Sequence, residues 1–255
     1  MEMTFRWYGY DDKNTLNYIR QIPGVKGVVT ALYTVPVGQV WPEDEIKKLK
    51  EYVNSYNLTM EVIESVPVSE DIKLREGNYK KHIENFKENI RRLAKYGVKC
   101  ICYNFMPIFD WTRTELARVR SDGSTVLAYN QDVIDSLNPE DMFNHISGDS
   151  NGTVLPGWEP ERMSKIKDLF ELYKEIDEEK LFENLEYFLK KIMPVCNKYN
   201  INMAIHPDDP AWSVFGLPRI IINKENILRV LNTVNDPHNG VTFCSGSYGT
   251  NPKND

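Results

Sequence analysis

Short apolar runs rich in β-branched residues alternate along this chain with longer stretches in which apolar residues recur every three or four positions. Val28-Val29-Thr30-Ala31-Leu32, after Gly27, is an unbroken run of the kind that forms a strand covered on both faces. Residues 5–9 read as a strand before it, residues 59–64 as a third and residues 99–105 as a fourth. A helix over residues 13–20 follows the first strand. A second opens at Pro42, whose fixed φ suits a first turn, with Glu43, Asp44 and Glu45 at the positive end of the helix dipole. Ile46, Leu49, Val53 and Tyr56 share one face of it. Tyr79, Ile83, Phe86, Ile90 and Leu93 alternate spacings of four and three, and Gly97 supplies the usual C-terminal stop.

The rhythm breaks over about residues 111–165, a polar insertion after strand four that is rich in Asp, Asn, Ser and Gly. Its length and polarity suit a lid over a reacting substrate. The alternation then resumes. A helix over residues 179–199 turns Leu181, Leu185, Phe188, Leu189 and Ile192 inward and contains Pro194. Asn202-Met203-Ala204-Ile205 is strand five, residues 224–234 a helix, and Gly240-Val241-Thr242-Phe243 strand six. Six strand–helix units with short connections predict parallel pairing in a TIM (β/α)8 barrel, with about six of the eight strands present in one incomplete domain over residues 1–255. Two further units need on the order of 60 residues. The edges of strands one and six are therefore expected to be covered by a missing segment or by a second subunit, as in a homo-oligomer.

Composition narrows the function. With 41% apolar and 27% charged residues the chain is ordinary for a globular protein, and its net charge of −6 disfavours a nucleic-acid partner. No run approaches the roughly 18 apolar residues of a membrane span, and the N-terminus has no secretory pattern, so a cytoplasmic protein without a membrane partner is expected. Cys100 and Cys102 lie on one face of a strand and read as core thiols.

Chemistry concentrates at strand ends. His206-Pro207-Asp208-Asp209 ends strand five and Cys244 follows strand six. In a barrel both fall at the rim that carries active sites, and an imidazole with a thiolate suits a divalent transition metal. Two ligands are too few for such an ion, and the chain stops eleven residues after Cys244, so part of the site is expected to lie outside this sequence. Each residue also has a plainer reading, His206 as a hydrogen-bonded structural histidine and Cys244 as a buried thiol. Asp208 and Asp209 are either a turn before Pro210 or acceptors that orient His206. Asn104 and Arg113, after strand four, suit a polyhydroxy acid, with Arg113 as a bidentate carboxylate fork. Trp111 either stacks on a sugar face or covers the barrel end, and Arg6-Trp7 after strand one poses the same choice.

These residues resemble one family, the mannonate dehydratases. The likeness is carried by Phe5-Arg6-Trp7-Tyr8-Gly9, by Glu64-Ser65-Val66-Pro67 with Glu70-Asp71-Ile72-Lys73, and by Cys102-Tyr103-Asn104-Phe105-Met106-Pro107 running into Asp110-Trp111-Thr112-Arg113. It continues in Leu172-Tyr173-Lys174-Glu175-Ile176-Asp177, His206-Pro207-Asp208-Asp209-Pro210, Gly216-Leu217-Pro218-Arg219-Ile220, and Cys244 with Gly246-Ser247-Tyr248-Gly249. The resemblance implies a xylose-isomerase-like barrel and a lyase that removes water from D-mannonate to give 2-keto-3-deoxy-D-gluconate in hexuronate catabolism. It also implies Mn2+ or Fe2+ held by His206 and Cys244, with a further His after strand seven and an Asp-His pair after strand eight. No acid–base pair stands out in this chain, and the resemblance implies that the catalytic residues follow it. On that footing the 255-residue chain alone is expected to be inactive. A metal-dependent sugar isomerase or epimerase on the same barrel is the rival activity, and an inactive fragment the rival of another kind.

Overall fold

The computed structural model describes residues 1–142 and 165–254. Along the chain the strands are β1 (Met3–Arg6), β2 (Val25–Thr30), β3 (Thr59–Glu64), β4 (Cys100–Tyr103), β5 (Glu115–Val119), β6 (Thr125–Ala128), β7 (Asn202–Ile205) and β8 (Asn239–Val241). The helices are α1 (Leu16–Ile19), α2 (Glu43–Ser55), α3 (Glu70–Leu74), α4 (Tyr79–Lys95), α5 (Gln131–Ser136), α6 (Ile166–Tyr173), α7 (Glu178–Tyr199), α8 (Lys224–Thr233) and α9 (Ser245–Tyr248). The backbone gathers into two compact units. The first comprises Met1–Asn104, Glu183–His206 and Ile227–Phe243; the second comprises Phe105–Phe182, Pro207–Asn226 and Cys244–Asp255.

The first unit holds a six-stranded sheet in the order β1-β2-β3-β4-β7-β8, with every pair parallel. Each strand lies beside its predecessor in the series and the order never reverses. That is the order of a β/α barrel wall, whereas a doubly wound sheet changes direction at a switch point. Alternation gives the sheet two unlike faces. Val28, Thr30, Ile63, Ile101, Tyr103, Met203 and Ile205 are all buried on one of them. There Phe188 of α7 meets Phe86 of α4 edge-on, with ring centroids 5.1 Å apart, and Tyr103 of β4 at 6.1 Å. The opposite face carries Arg6, Val29, Val62, Glu64, Cys100 and Ala204, all half-buried.

Local chemistry fixes the elements. The apolar stripe Ile46, Leu49 and Val53 of α2 is buried, and Pro42 with three acidic residues stands at its first turn. Gly97, at φ +79°, ends α4 by donating its N–H to the Ala94 carbonyl while Val98 donates to Leu93. Asn89 is buried within α4, accepting the Trp41 amide at 2.8 Å and donating to the Gln39 carbonyl at 3.1 Å, which fastens the approach to α2. Gly27 faces Thr59 so closely that a Cβ there would lie 2.2 Å from its Oγ1.

The insertion after strand four falls in the second unit. Its described part contains an antiparallel hairpin, with Val119 opposite Thr125 and Glu115 opposite Ala128, then α5 and a 3-10 turn over Pro139–Asp141. The hairpin escaped the pattern because its strands are mostly exposed and lack a buried alternate face. A turn signal was present: Asp122 accepts from both the amide and the hydroxyl of Ser124, beside Gly123 at φ +82°. The central part of the expected lid, residues 143–164, lies outside the described residues. Strand one also differs, ending at Arg6 rather than residue 9, because the Tyr8 amide turns away to Asp12 and Gly9 takes φ +93°.

Phe188 is fully buried between two rings. Phe188→Ala is expected to cost about 3–5 kcal/mol, read as a fall in the denaturant midpoint. Val119→Ala, at a site 70% exposed, is expected to stay within about 0.5 kcal/mol. Equal losses would show that the sheet's helix-covered face is not the core.

Candidate functional site

In the first unit the candidate side chains sit at the C-terminal ends of the parallel strands. Glu64 is in register with Cys102, and Cys102 with Ala204. The His206 amide donates to the Tyr103 carbonyl at 2.7 Å and the Thr242 amide to Ile205 at 2.8 Å, so the ladder runs one step past β7 and β8. Carried to these ends, the alternation puts Arg6, Glu64, Asn104 and His206 on the face opposite the core. All four are half-buried. Arg6 donates through Nη1 to the Glu64 carbonyl and stands 3.5 Å from its carboxylate, while its guanidinium lies 5.0 Å from the centre of the Tyr8 ring.

Trp7 takes the opposite direction. It is 2% exposed, stacked on Tyr52 of α2 at 5.9 Å and edge-on to Tyr10 at 5.8 Å. That packing covers most of the ring.

Three thiols are held neutral. Burial, then the neighbouring Glu64 charge, pushes Cys100 up to about 11. Cys102 is raised further by burial, and its Sγ lies 3.1 Å from the Thr242 hydroxyl. Burial also raises Cys196, to about 12. Such thiols are poor nucleophiles and poor ligands at neutral pH.

The second unit gathers the other candidates. Arg113 forms a bidentate pair with Asp209, Nη1 to Oδ1 at 2.7 Å and Nη2 to Oδ2 at 2.8 Å. The fork expected to take a substrate carboxylate thus already holds one from the protein. The Thr112 amide donates to the Asp209 carbonyl, so the pair also ties two chain segments. Asp208 is fully buried and accepts the amides of Ile220 and Ile221 at 2.6 and 2.9 Å. Asp209 thus holds the Arg113 side chain, and Asp208 holds two backbone amides. Trp111 is half-buried. Cys244 precedes α9 and accepts from the Ser247 hydroxyl at 3.4 Å. Burial raises the Tyr248 phenol strongly, and the nearby Asp208 and Cys244 charges add to this.

Sequence reasoning quoted Tyr8, Glu64, Arg219 and Tyr248 within its motifs without giving them a role. Arg219 is 1% exposed and donates to the Phe109 carbonyl at 2.9 Å. Glu64 was legible as the one charged residue closing β3, yet nothing in its spacing marked Arg6 as its partner. Among the described residues no group of three or more His, Cys, Asp or Glu is arranged to hold a metal.

A family model described as D-mannonate dehydratase matches residues 1–255. The chain belongs to the D-mannonate dehydratase family. The mannonate dehydratase of Brachyspira hyodysenteriae is 60% identical over 256 residues, covering 100% of this chain and 72% of that protein. That of Geobacillus thermodenitrificans is 58% identical, covering 100% of this chain and 69% of its own length. The crystal structure of mannonate dehydratase from Streptococcus suis serotype 2 matches with a TM-score of 0.88 at 45% identity, over 100% of this chain and 67% of that one. The enzyme class of the family is hydro-lyase, and the barrel order of the sheet agrees with that structural match.

The buried thiols set an alkaline limit. An unfolded thiol ionises near its ordinary value of 9.0, whereas folded Cys100 ionises at about 11. Stability owed to the neutral thiol is complete below the unfolded value and is lost as pH rises through the folded one. Unfolding midpoints are therefore expected to fall between about pH 9 and 11, and Cys100→Ala to flatten that fall. An unchanged slope in the variant would remove Cys100 as its cause.

Proposed function

We propose that the protein dehydrates D-mannonate to 2-keto-3-deoxy-D-gluconate, with His206 and Cys244 as metal ligands and Arg6, Asn104, Trp111 and Arg113 around the sugar acid. The observation that carries the reading is a chain of the mannonate dehydratase family with His206 and Asn104 at the ends of parallel strands, on the face turned away from the core. The donor chemistry fits a first-row divalent ion, Mn2+ or Fe2+, because one ligand is an imidazole and the other a thiol able to ionise on binding. A cation held by His206 and Cys244 would supply positive charge to offset charge developing during elimination.

The reaction breaks the C2–H and C3–O bonds, releases one water and leaves an enol that tautomerises to the keto acid. The protein's part in this is to bind and orient. Asn104 offers an amide that both donates to and accepts from sugar hydroxyls. Arg6 offers planar donors to the carboxylate. Arg113 acts on the substrate through Asp209, whose carboxylate it fixes.

Four free cysteines support a reducing, cytoplasmic setting. β1 and β8 are the outer strands of the described sheet, which supports a second copy or a further segment beside them.

The deciding assay follows formation of the keto acid from D-mannonate with Mn2+ or Fe2+ supplied, in this chain and in a form extended to the length of its relatives. His206→Ala and Cys244→Ser are each expected to lower kcat/KM by more than the roughly 10–100-fold that outer-shell partners cost, with loss of bound metal by elemental analysis. Ser matches Cys in size, but its hydroxyl stays protonated where a metal-bound thiol ionises. Variants that keep both metal and turnover would remove these ligands. Interconversion of sugars without loss of water would replace the dehydratase reading.

A further inference from the structure

The two arginines considered for the substrate carboxylate are in opposite states. Both terminal nitrogens of Arg113 are engaged by Asp209. Among the described residues Arg6 hydrogen-bonds to protein through Nη1, which donates to the Glu64 carbonyl and faces its carboxylate at 3.5 Å. Among the described residues its Nη2 and Nε have no partner, and the side chain is 26% exposed. Guanidinium is planar and can serve two carboxylates on separate edges. Glu64 takes up Nη1 and leaves the Nε–Nη2 edge, which can bind a carboxylate bidentately, open.

The guanidinium is also held in place. Its carbon lies 5.0 Å from the centre of the Tyr8 ring, and that ring is 6.3 Å from the ring of Tyr33. Tyr33 is fixed in turn by donating to the Trp7 carbonyl at 3.3 Å and by lying across Gly9, where an added Cβ would meet its ring at 3.2 Å. The Tyr8 amide is anchored on Asp12 at 2.9 Å. Arg6 is thus stacked from one side and hydrogen-bonded from another before any ligand arrives, which lowers the ordering cost of binding.

We propose that Arg6 is the carboxylate anchor of the site, and that Glu64 and Tyr8 are positioning residues that aim its open edge and make the protein selective for aldonic acids over neutral polyols of the same chain length. The inference rests on the sugar-acid reading above but concerns recognition, so it is tested by binding as well as turnover.

Calorimetric titration of the Mn2+-supplied protein compares D-mannonate with D-mannitol, in which CH2OH replaces the carboxylate. Arg6→Lys keeps the charge and loses the fork. It is expected to raise the Kd for D-mannonate roughly 10–100-fold and to leave D-mannitol unchanged. Tyr8→Leu is expected to weaken D-mannonate about two- to fivefold, with Tyr8→Phe restoring the affinity because the ring is what matters. Glu64→Gln is expected to raise KM for D-mannonate with little change in kcat. Arg118→Lys, on the exposed hairpin, is the control for the same exchange elsewhere and is expected to leave both affinities unchanged. Equal weakening of both ligands by Arg6→Lys, or no weakening of either, overturns the proposal. Selective binding of D-mannonate through Arg6 without dehydration would uphold this inference while removing the dehydratase reading.

Discussion

The period-two alternation of a parallel sheet is the constraint on which the rest depends. One face of the six strands is sealed by α4 and α7, with Ile63, Ile101, Met203 and Ile205 fully buried. Once that face is committed to apolar packing, every second residue must turn the other way. Arg6, Glu64, Asn104 and His206 are delivered to one side by this rule, although they come from four different strands. A one-residue slip in any strand would exchange a core residue for a candidate site residue, so packing energy and site geometry are protected by the same register.

Two arginine–carboxylate pairs illustrate how similar chemistry is put to different ends. The Arg113–Asp209 pair is closed, bidentate and mostly buried, and joins two segments of the second unit. In the Arg6–Glu64 pair the protein occupies one edge of the guanidinium. Solvent screening makes the second pair a weak source of stability. Its worth lies in orientation, since a planar donor that is already aimed loses little freedom when a planar acceptor arrives.

The regular part of the fold was legible because its signals were redundant. β3 is found at residues 59–64, and the helix expected from residue 79 is α4, ended as Gly97 implied. In both, spacing, burial and end signals agreed. The exposed hairpin was missed because no buried face imposes a period on it, and the five-residue α3 because it is too short to show one. At the site the residue types were visible and their pairings were not. His206 stood out by its position at a strand end, but Arg6 with Glu64 and Arg113 with Asp209 are 58 and 96 positions apart. Such partners are set by which strands lie side by side, and short-range pattern does not carry that information. Arg113 also shows how a residue chosen for its chemistry can already have an internal partner.

The close approach of β2 and β3 reaches down to the genetic code. Every glycine codon begins with two guanines, and any single-base change at either one yields a stop or a residue bearing a Cβ. At position 27 that atom would meet Thr59 Oγ1 at 2.2 Å and its carbonyl oxygen at 2.6 Å. Changes at the third base are silent. Point mutation therefore offers this codon no intermediate step toward another amino acid, and drift there is confined to synonymous change for as long as the two strands remain neighbours.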